Sequence, residues 1–326
     1  MQKYNWGIIG TGTISNLFAE GLDYLQDAII QAVGSRNQES ADTFARKWGA
    51  SQAYDSYADL YADPQVEIVY IGTPHNVHFE NVRDALNAGK HVLCEKPFAI
   101  NAAEARELIH LARKNSLFLM EAMWNRFQPW YGVVNQLLSE DRIGEIYHLK
   151  ADLSFGFDVG LDHRIYNPEL AGGSLLDLGV YPIALASAIL GRPEEILAAG
   201  HLCETGVDDQ VSMIFKYGSG ATAELGCSSR YLTKNNATIH GSRGYIEIHG
   251  MIVRPHLVSI QEQGKELIEI DTTPELNGYQ YEAQAVMERV GAGQPEHPLM
   301  PLKETIQIME TMDQIRASIG VKYPGE

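Results

Sequence analysis

Lys96 is a residue whose type and place suit chemistry. It follows the stretch 91–95, which is predicted to be a buried strand, and Pro97 after it ends the strand's hydrogen bonding and can fix the peptide in cis. An ammonium group at a strand end can orient a substrate hydroxyl and stabilise the oxyanion that develops as hydride leaves or arrives. The alternative is an ordinary lysine that reaches solvent at the end of a strand.

Asp177 and Tyr181 form the second candidate group. They lie four residues apart, so they share one face of a predicted helix near its N-terminus. The pKa of a tyrosine is about 10 in water, and a neighbouring lysine ammonium lowers it. Lys96 and Tyr181 would then supply a proton donor and acceptor for alcohol oxidation or carbonyl reduction. Asp177 also has capping-box spacing from Ser174, so its role could be limited to capping the helix.

The stretch 6–15 predicts a strand, a tight turn and a helix. Gly10 allows the bend, and Gly12 lets a pyrophosphate approach amides at the helix N-terminus, where the macrodipole favours negative charge. Ser15 stands at the third small position of the Gly-x-Gly-x-x-Gly fingerprint and departs from it. A purely structural glycine turn is the alternative. The predicted dinucleotide contacts in this stretch are Gly10, Thr11, Gly12, Thr13 and Ile14.

The end of the second predicted strand bears on which nicotinamide cofactor would bind. NAD enzymes of this kind place an acidic residue there to bind the ribose 2′-hydroxyl, whereas this chain has Ser35 and Arg36. An arginine suits a 2′-phosphate, so the sequence favours NADP over NAD. A solvated arginine, or one that stacks on the adenine whatever the ribose carries, is the alternative.

Five predicted strands alternate with helices over residues 1–122, which indicates an α/β domain with a doubly wound parallel sheet. Ligands of such sheets bind at the carboxyl ends of the strands. His75 and His78 could suggest a metal pair, but no third ligand is nearby, so we predict no metal and expect His78 to lie near the cofactor or to cap backbone groups. The strand ends deliver to this edge Thr73, Pro74, His75, His78, Glu95 and Lys96.

Beyond residue 122 the pattern changes, because the later strands follow one another with short glycine-rich turns instead of helices. This predicts a second, α+β domain over residues 123–326, built on a large and mostly antiparallel sheet. The last two helices would return toward the first domain or pack under the sheet. The predicted strands are 146–157, 196–204, 211–216, 222–227, 236–240 and 245–248, and the helices are 129–139, 174–190, 281–290 and 302–319.

Composition narrows the class of partner. The 326 residues include 25 basic and 42 acidic side chains, and a net charge of −17 argues against nucleic acid or an anionic membrane as a partner. No apolar run comes close to the roughly 18 residues of a membrane span, and no signal peptide precedes the first strand. Three widely spaced cysteines suit a reducing compartment. We therefore expect a cytoplasmic protein.

Taken together, the motifs resemble the glucose-fructose oxidoreductase, inositol dehydrogenase and MocA family along the whole chain. The matching landmarks occur in the family's order: 10–12, 72–75, 95–97, and 172–173 leading to Asp177 and Tyr181. The branch of dihydrodiol dehydrogenases and NADP-linked D-xylose dehydrogenases is most similar, through 117–127, 204–209 and 319–321. Many relatives have histidine where this chain has Tyr181, and tyrosine agrees with that branch.

The resemblance implies an N-terminal Rossmann domain, a homodimer formed through the C-terminal sheet, and Lys96 and Tyr181 as the catalytic pair. It also implies that Ser35 and Arg36 contact the adenosine end of the cofactor. Thr73, His75 and Glu95 would lie along the cofactor, and Trp124 and Arg126 would approach the nicotinamide or the substrate. Trp124 could equally be a core residue.

The predicted function is therefore an NADP-preferring oxidoreductase that acts on a sugar, a polyol or a trans-dihydrodiol. One alternative is a glycoside hydrolase that keeps NAD bound and oxidises its substrate only transiently. The other is a non-catalytic sensor of NADPH, which would have no need of Lys96 and Tyr181.

Overall fold

The computed structural model describes residues 3–326, and these form two compact units. Of the described residues, unit 1 comprises 3–127 and Glu275–Ile306, and unit 2 comprises Gln128–Pro274 and Gln307–Glu326. The sequence predicts a boundary after residue 122 and places everything beyond it in one second domain. In the structure, by contrast, the segment Glu275–Ile306 groups with the N-terminal unit.

Strands and helices alternate through the N-terminal part of unit 1. The strands are all parallel and lie in the order β3-β2-β1-β4-β5-β6, so the predicted doubly wound fold is confirmed. The strands are β1 (Tyr4–Ile9), β2 (Ala28–Gly34), β3 (Gln52–Tyr54), β4 (Ile68–Ile71), β5 (His91–Glu95) and β6 (Leu119–Ala122), and the helices are α1 (Thr13–Asp23), α2 (Gln38–Trp48), α3 (Tyr57–Ala62), α4 (His78–Asn87) and α5 (Ala102–Lys114).

Aromatic packing fills the space between this sheet and α1. Phe18 stacks on Tyr70 of β4 with ring centroids 3.7 Å apart, and Trp6 of β1 meets Phe18 edge-on at 5.3 Å. All three rings are buried. Strand β4 is apolar throughout, as expected for a parallel strand covered on both faces. This packing fixes the carboxyl ends of β1 and β4 side by side.

Unit 2 is built on one eight-stranded sheet, in the order β14-β13-β12-β11-β7-β10-β9-β8. Neighbouring strands are antiparallel except β7 and β10, which are parallel. Its elements are α6 (Pro129–Ser139), β7 (Ile146–Ser154), α7 (Val180–Leu190), β8 (Glu195–Leu202), β9 (Asp208–Lys216), β10 (Thr222–Ser228), β11 (Ala237–Gly241), β12 (Gly244–His249), β13 (Leu257–Glu262) and β14 (Ile268–Asp271).

The two C-terminal helices are α8 (Tyr279–Gly291) and α9 (Leu302–Ile319). Helix α8 packs on α1 in unit 1, where the Asn277 side chain donates hydrogen bonds to the Leu17 carbonyl at 2.7 Å and to Glu20 at 2.9 Å. These contacts join residues about 260 positions apart, which is why the sequence pattern could not assign this segment to a unit.

Several predicted elements need correction. The sequence analysis missed β3, β13 and β14, and β3 has only three residues, too few for a periodic pattern. The sheet of unit 2 is mostly antiparallel, as predicted, and its β7–β10 pair is parallel because the chain passes through α7, β8 and β9 before it returns beside β7. The single helix predicted over 174–190 is α-helical only from Val180, and a π-helical turn, Leu175–Gly179, precedes it.

The expectation that no segment has the length and apolarity of a membrane span was too strong. Pro168–Leu190 meets both criteria, although 78% of its most apolar window is buried. Helix α7, which forms its C-terminal half, is apolar on nearly all sides and buried over most of its length. A helix that is apolar all round is typical of a protein core as well as of a membrane. The burial therefore favours a core helix.

Candidate functional site

The turn between β1 and α1 is shaped to receive an anion. Gly10 has a φ of +89°, and a Cβ on it would lie 2.7 Å from the carbonyl oxygen of Gly72. Gly12 precedes α1 without a side-chain cap, and a Cβ on it would meet no atom within 4 Å. Thr13 and Ile14 begin the helix, so their amides face an open approach at its positive end. These features fit the pyrophosphate of a dinucleotide.

Asn16 holds this turn in place, a role that the sequence analysis missed. Its Nδ2 donates to the carbonyl oxygen of Gly12 at 2.9 Å and to that of Thr11 at 3.3 Å. Its Oδ1 accepts from Lys47 Nζ at 2.9 Å and from Trp48 Nε1 at 3.0 Å, both on α2. Because the carbonyls are tied down on this side, the turn amides stay available to a ligand. An asparagine in the first turn of α1 was the available signal.

Ser35 and Arg36 lie where β2 ends and α2 begins. Ser35 is buried and its amide donates to the Tyr54 carbonyl at 3.0 Å, whereas Arg36 is exposed. Among residues 3–326, no carboxylate forms an ion pair with Arg36. Asn37 caps α2 by accepting from the Ser40 amide. The structure thus leaves a cation at the strand end for which a cofactor phosphate is predicted.

The residues after β4 form a short turn in which Thr73, His75 and His78 are buried and Pro74 is exposed. Thr73 Oγ1 accepts from Asn81 at 2.9 Å, and Pro74 starts the helical turn that contains His75. The ring nitrogens of His78 lie 2.8 Å from the carbonyl oxygens of Thr73 and Pro97. Burial lowers the pKa of His78, while the hydrogen bonds to the two carbonyls act in the other direction. His78 therefore links the ends of β4 and β5 through their backbones.

Glu95, Lys96 and Pro97 leave β5 at the same edge of the sheet. The Lys96–Pro97 peptide is cis, as predicted. Glu95 is buried and accepts from the Tyr70 hydroxyl at 2.6 Å and from the Lys96 amide at 3.2 Å, so both carboxylate oxygens are held. Burial, and then the charge of Glu95, raise the pKa of Glu282 well above its usual range.

Trp124 and Arg126, predicted near the nicotinamide, have close partners within unit 1. Trp124 stacks on Tyr279 at a centroid distance of 4.5 Å and an interplanar angle of 6°. Arg126 is 2% exposed and donates to Glu304 at 2.7 Å and to the Leu299 carbonyl at 3.1 Å. These bonds account for the burial of the Arg126 guanidinium, and its contact with a cofactor stays a prediction.

Glu121 is a second residue that the sequence analysis missed. This β6 carboxyl is fully buried and accepts from the Phe98 amide at 3.2 Å and from Thr305 Oγ1 at 3.1 Å. Burial raises the pKa of Glu121 to about 7, although both hydrogen bonds and the Arg126 charge act in the other direction. A lone carboxylate within an otherwise apolar strand was the available signal.

Asp177 and Tyr181 belong to unit 2. Asp177 lies in the π-turn and accepts from Arg164 at 3.1 Å, while Tyr181 is in the first turn of α7 and is 6% exposed. The predicted Ser174–Asp177 capping box does not form at the helix start, because Ser174 instead donates to Asp208 of β9 at 2.7 Å. The residues predicted in unit 1 gather at one edge of its sheet, and the pairing of Lys96 with Tyr181 stays a prediction.

Within residues 3–326, no group of three or more histidine, cysteine, aspartate or glutamate residues is placed to hold a metal ion. The arrangement in unit 1 offers an anion cradle, an exposed arginine and a lysine at the carboxyl-end edge of one parallel sheet. These are the parts that bind a phosphorylated dinucleotide and orient an oxygen beside it.

Two family profiles match successive parts of this chain. A profile of the oxidoreductase family with an NAD-binding Rossmann fold, the glucose-fructose oxidoreductase, inositol dehydrogenase and MocA family, matches residues 4–123. The profile of that family's C-terminal domain matches residues 131–247.

Individual relatives align with 98% of this chain. Trans-1,2-dihydrobenzene-1,2-diol dehydrogenase of Xenopus tropicalis is 36% identical over 328 residues, which is 98% of this chain and 99% of that protein. The Mus musculus enzyme of the same name is 38% identical over 331 residues, 98% of each chain. A 3-ketoreductase from Actinomadura kijaniata, solved with NADP and TDP-benzene, has a TM-score of 0.88 and 27% identity over 98% of each chain.

Proposed function

Because the chain belongs to the oxidoreductase family with an NAD-binding Rossmann fold, we propose that it is an NADP-preferring dehydrogenase of a sugar, a polyol or a trans-dihydrodiol. The observation that carries the proposal is the anion cradle at Gly10 and Gly12, which lies at the same edge of the parallel sheet as Lys96 at the end of β5. The dihydrodiol dehydrogenases among its relatives support the substrate class.

In the proposed mechanism, the chain's residues bind and orient the substrate and move one proton. NADP supplies the hydride acceptor when it is bound. Lys96 donates a hydrogen bond to the substrate oxygen, and its own backbone amide is held by Glu95. The Tyr181 phenolate takes the hydroxyl proton during oxidation, and the phenol returns it during reduction, so that the alcohol loses one proton to this oxygen as one hydride leaves its carbon. Asp177, four residues before Tyr181, belongs to the same group of proposed catalytic residues.

The preference for NADP is attributed to Arg36. Its guanidinium is exposed at the end of β2 and can pair with a 2′-phosphate through two parallel hydrogen bonds. We expect Arg36→Ala to weaken NADP binding about tenfold, the size of one lost charge-assisted contact, and to leave NAD binding unchanged. Arg46→Ala removes an equally exposed guanidinium from α2 and serves as the control. Equal NADP affinity in both variants would remove Arg36 from cofactor selection.

A spectrophotometric screen tests the function itself. The wild-type chain is mixed with sugars, polyols and trans-diols, with NADP and NAD side by side, and nicotinamide reduction is followed by absorbance. We expect reduction with at least one member of these classes, and a higher kcat/KM with NADP. Release of a free sugar without net reduction would instead support transient oxidation during glycoside hydrolysis.

We also propose a homodimer that forms through the outer face of the unit 2 sheet. Leu197 and Ile214 pair across β8 and β9, are 50% and 39% exposed, and lie beside the Lys150–Glu224 ion pair. Sedimentation of the wild type is expected to give twice the chain mass. Ile214→Glu should shift it toward the monomer, while Leu232→Glu, which changes an exposed loop residue, should not. A monomeric wild type would contradict this proposal.

We also propose a cytoplasmic location and small-molecule partners, from the state of the cysteines and the net charge. The three cysteines are free, and Cys94 and Cys227 are buried, which suits a reducing compartment such as the cytoplasm. The net charge of −17 favours small-molecule partners over nucleic acid or an anionic membrane surface.

A further inference from the structure

The helix that carries Tyr181 does not begin as an α-helix. From Leu175 to Gly179 the chain forms a π-turn, and the Val180 amide bonds the Leu175 carbonyl five residues back. One inserted residue rotates every following side chain by about 100° about the helix axis. The direction of Tyr181 relative to the start of this segment therefore depends on the π-turn.

Asp208, at the start of β9, holds the first residues of this turn. Its Oδ2 accepts from the Ser174 hydroxyl at 2.7 Å and from the Leu175 amide at 2.6 Å. The side chain is fully buried, and Oδ1 has no hydrogen-bond partner among residues 3–326. A buried carboxylate with two donors on one oxygen costs solvation free energy. The contacts with the turn are the bonds that offset this cost.

Gly173 makes room for this carboxylate. Its φ is +121°, and an added Cβ would lie 2.5 Å from Asp208 Oδ1. A Cβ on Gly172, just before it, would lie 2.6 Å from the carbonyl oxygen of Arg164 and 2.7 Å from that of Ile165. Both glycines of the Gly172–Gly173 motif are thus explained by the approach of other chain segments to the start of the turn.

The far end of the turn is fixed by close packing on β10. A Cβ at Gly179 would lie 2.9 Å from the sulfur of Cys227, so the turn backbone sits directly against this strand. The Cys227 thiol also lies 3.7 Å from the Ser174 hydroxyl. The π-turn is therefore held at both ends by strands of the sheet.

We propose that Asp208 is a positioning residue, which locks the π-turn and so sets the direction in which Tyr181 leaves α7. This inference rests on the proposed function, because it assigns Asp208 a role through the proton-transferring phenol. Misplacing such a group by about 1 Å can cost up to about a hundredfold in rate.

A double-mutant cycle between Asp208 and Tyr181 tests the proposal. We expect Asp208→Ala to lower kcat about tenfold or more, with NADP affinity unchanged because the cofactor residues lie in unit 1. If Asp208 acts through Tyr181, adding Asp208→Ala to Tyr181→Phe should slow turnover no further. Asp208→Asn keeps an oxygen acceptor for the Leu175 amide and should stay within about threefold of wild type.

The matched control is Asp209→Ala. Asp209 is the next residue of β9, is also buried, and accepts from His201 at 2.8 Å, and its side chain has no hydrogen bond to the π-turn. It should lower the unfolding midpoint without changing the kcat of the folded protein. Should Asp208→Ala fail to fold, Ser174→Ala removes only one of the two donors and enters the same cycle.

The outcomes separate the two proposals. Wild-type turnover in Tyr181→Phe overturns the proposed function, and this inference with it. A slow Tyr181→Phe combined with a normal Asp208→Ala, or with losses that multiply in the double variant, overturns the positioning role alone.

Discussion

Replacing Tyr181 with phenylalanine is expected to lower kcat at least about a hundredfold, the usual loss when a general acid or base is removed. The variant keeps the ring of a side chain that is only 6% exposed, so the packing of α7 is preserved and only the hydroxyl is lost. NADP affinity should stay at its wild-type value, since the predicted cofactor contacts lie in unit 1. Steady-state kinetics and cofactor titration measure the two quantities separately.

Tyr217→Phe is the matched control for this prediction. Tyr217 is also a buried tyrosine of unit 2, and its hydroxyl has no hydrogen-bond partner among residues 3–326. Losing that hydroxyl should leave turnover unchanged. Equal kcat in Tyr181→Phe and Tyr217→Phe would remove the Tyr181 phenol from the mechanism.

Replacing Glu121 with glutamine is expected to flatten the dependence of stability on pH. The folded chain raises the pKa of Glu121 from 4.5 to about 7, so between these values the folded state binds more protons than the unfolded state. Stability contributed by this site is therefore full below about pH 4.5 and is lost as the pH rises toward about 7. At higher pH the charged Glu121 carboxylate is buried at a net cost.

Glutamine can replace both hydrogen bonds of Glu121, because its amide oxygen accepts from the Phe98 amide and its nitrogen donates to Thr305. Relative to wild type, Glu121→Gln should gain about 1–3 kcal/mol in the free energy of unfolding between mildly acidic and mildly basic pH. Urea denaturation across this range measures the difference. Glu107→Gln, on the exposed face of α5, should show no such gain, and a parallel pH profile for wild type and Glu121→Gln would refute the assignment.

The parts of the fold that the sequence predicts well are those set by local pattern. The turn at Gly10 and Gly12 needs a positive φ and an uncapped helix start, and both requirements are met by neighbouring residues. Apolar strands such as β4 and β5 also predict a covered parallel sheet directly. The fold class and the NAD-binding oxidoreductase family were therefore predictable, and both are confirmed.

The parts that the sequence could not predict depend on contacts between distant residues. Asp208 meets Leu175 across 33 positions, and Thr305 meets Glu121 across 184, so no spacing rule points to either pair. The π-turn also packs through Gly179 on Cys227 of β10, a contact that only the folded chain reveals. Helix α8 groups with unit 1 through its packing on α1, which also joins residues that are far apart in the chain.

In the proposed reaction, hydride passes between a substrate carbon and a bound nicotinamide while Tyr181 moves the proton. A single turnover of the wild type with NADP, and with a substrate from the screen that carries deuterium on its carbinol carbon, tests this reaction. We expect deuterium in the reduced nicotinamide, one per substrate oxidised, at a rate that falls at least about a hundredfold in Tyr181→Phe. Product without deuterium in the cofactor, or an unchanged rate in that variant, would contradict it.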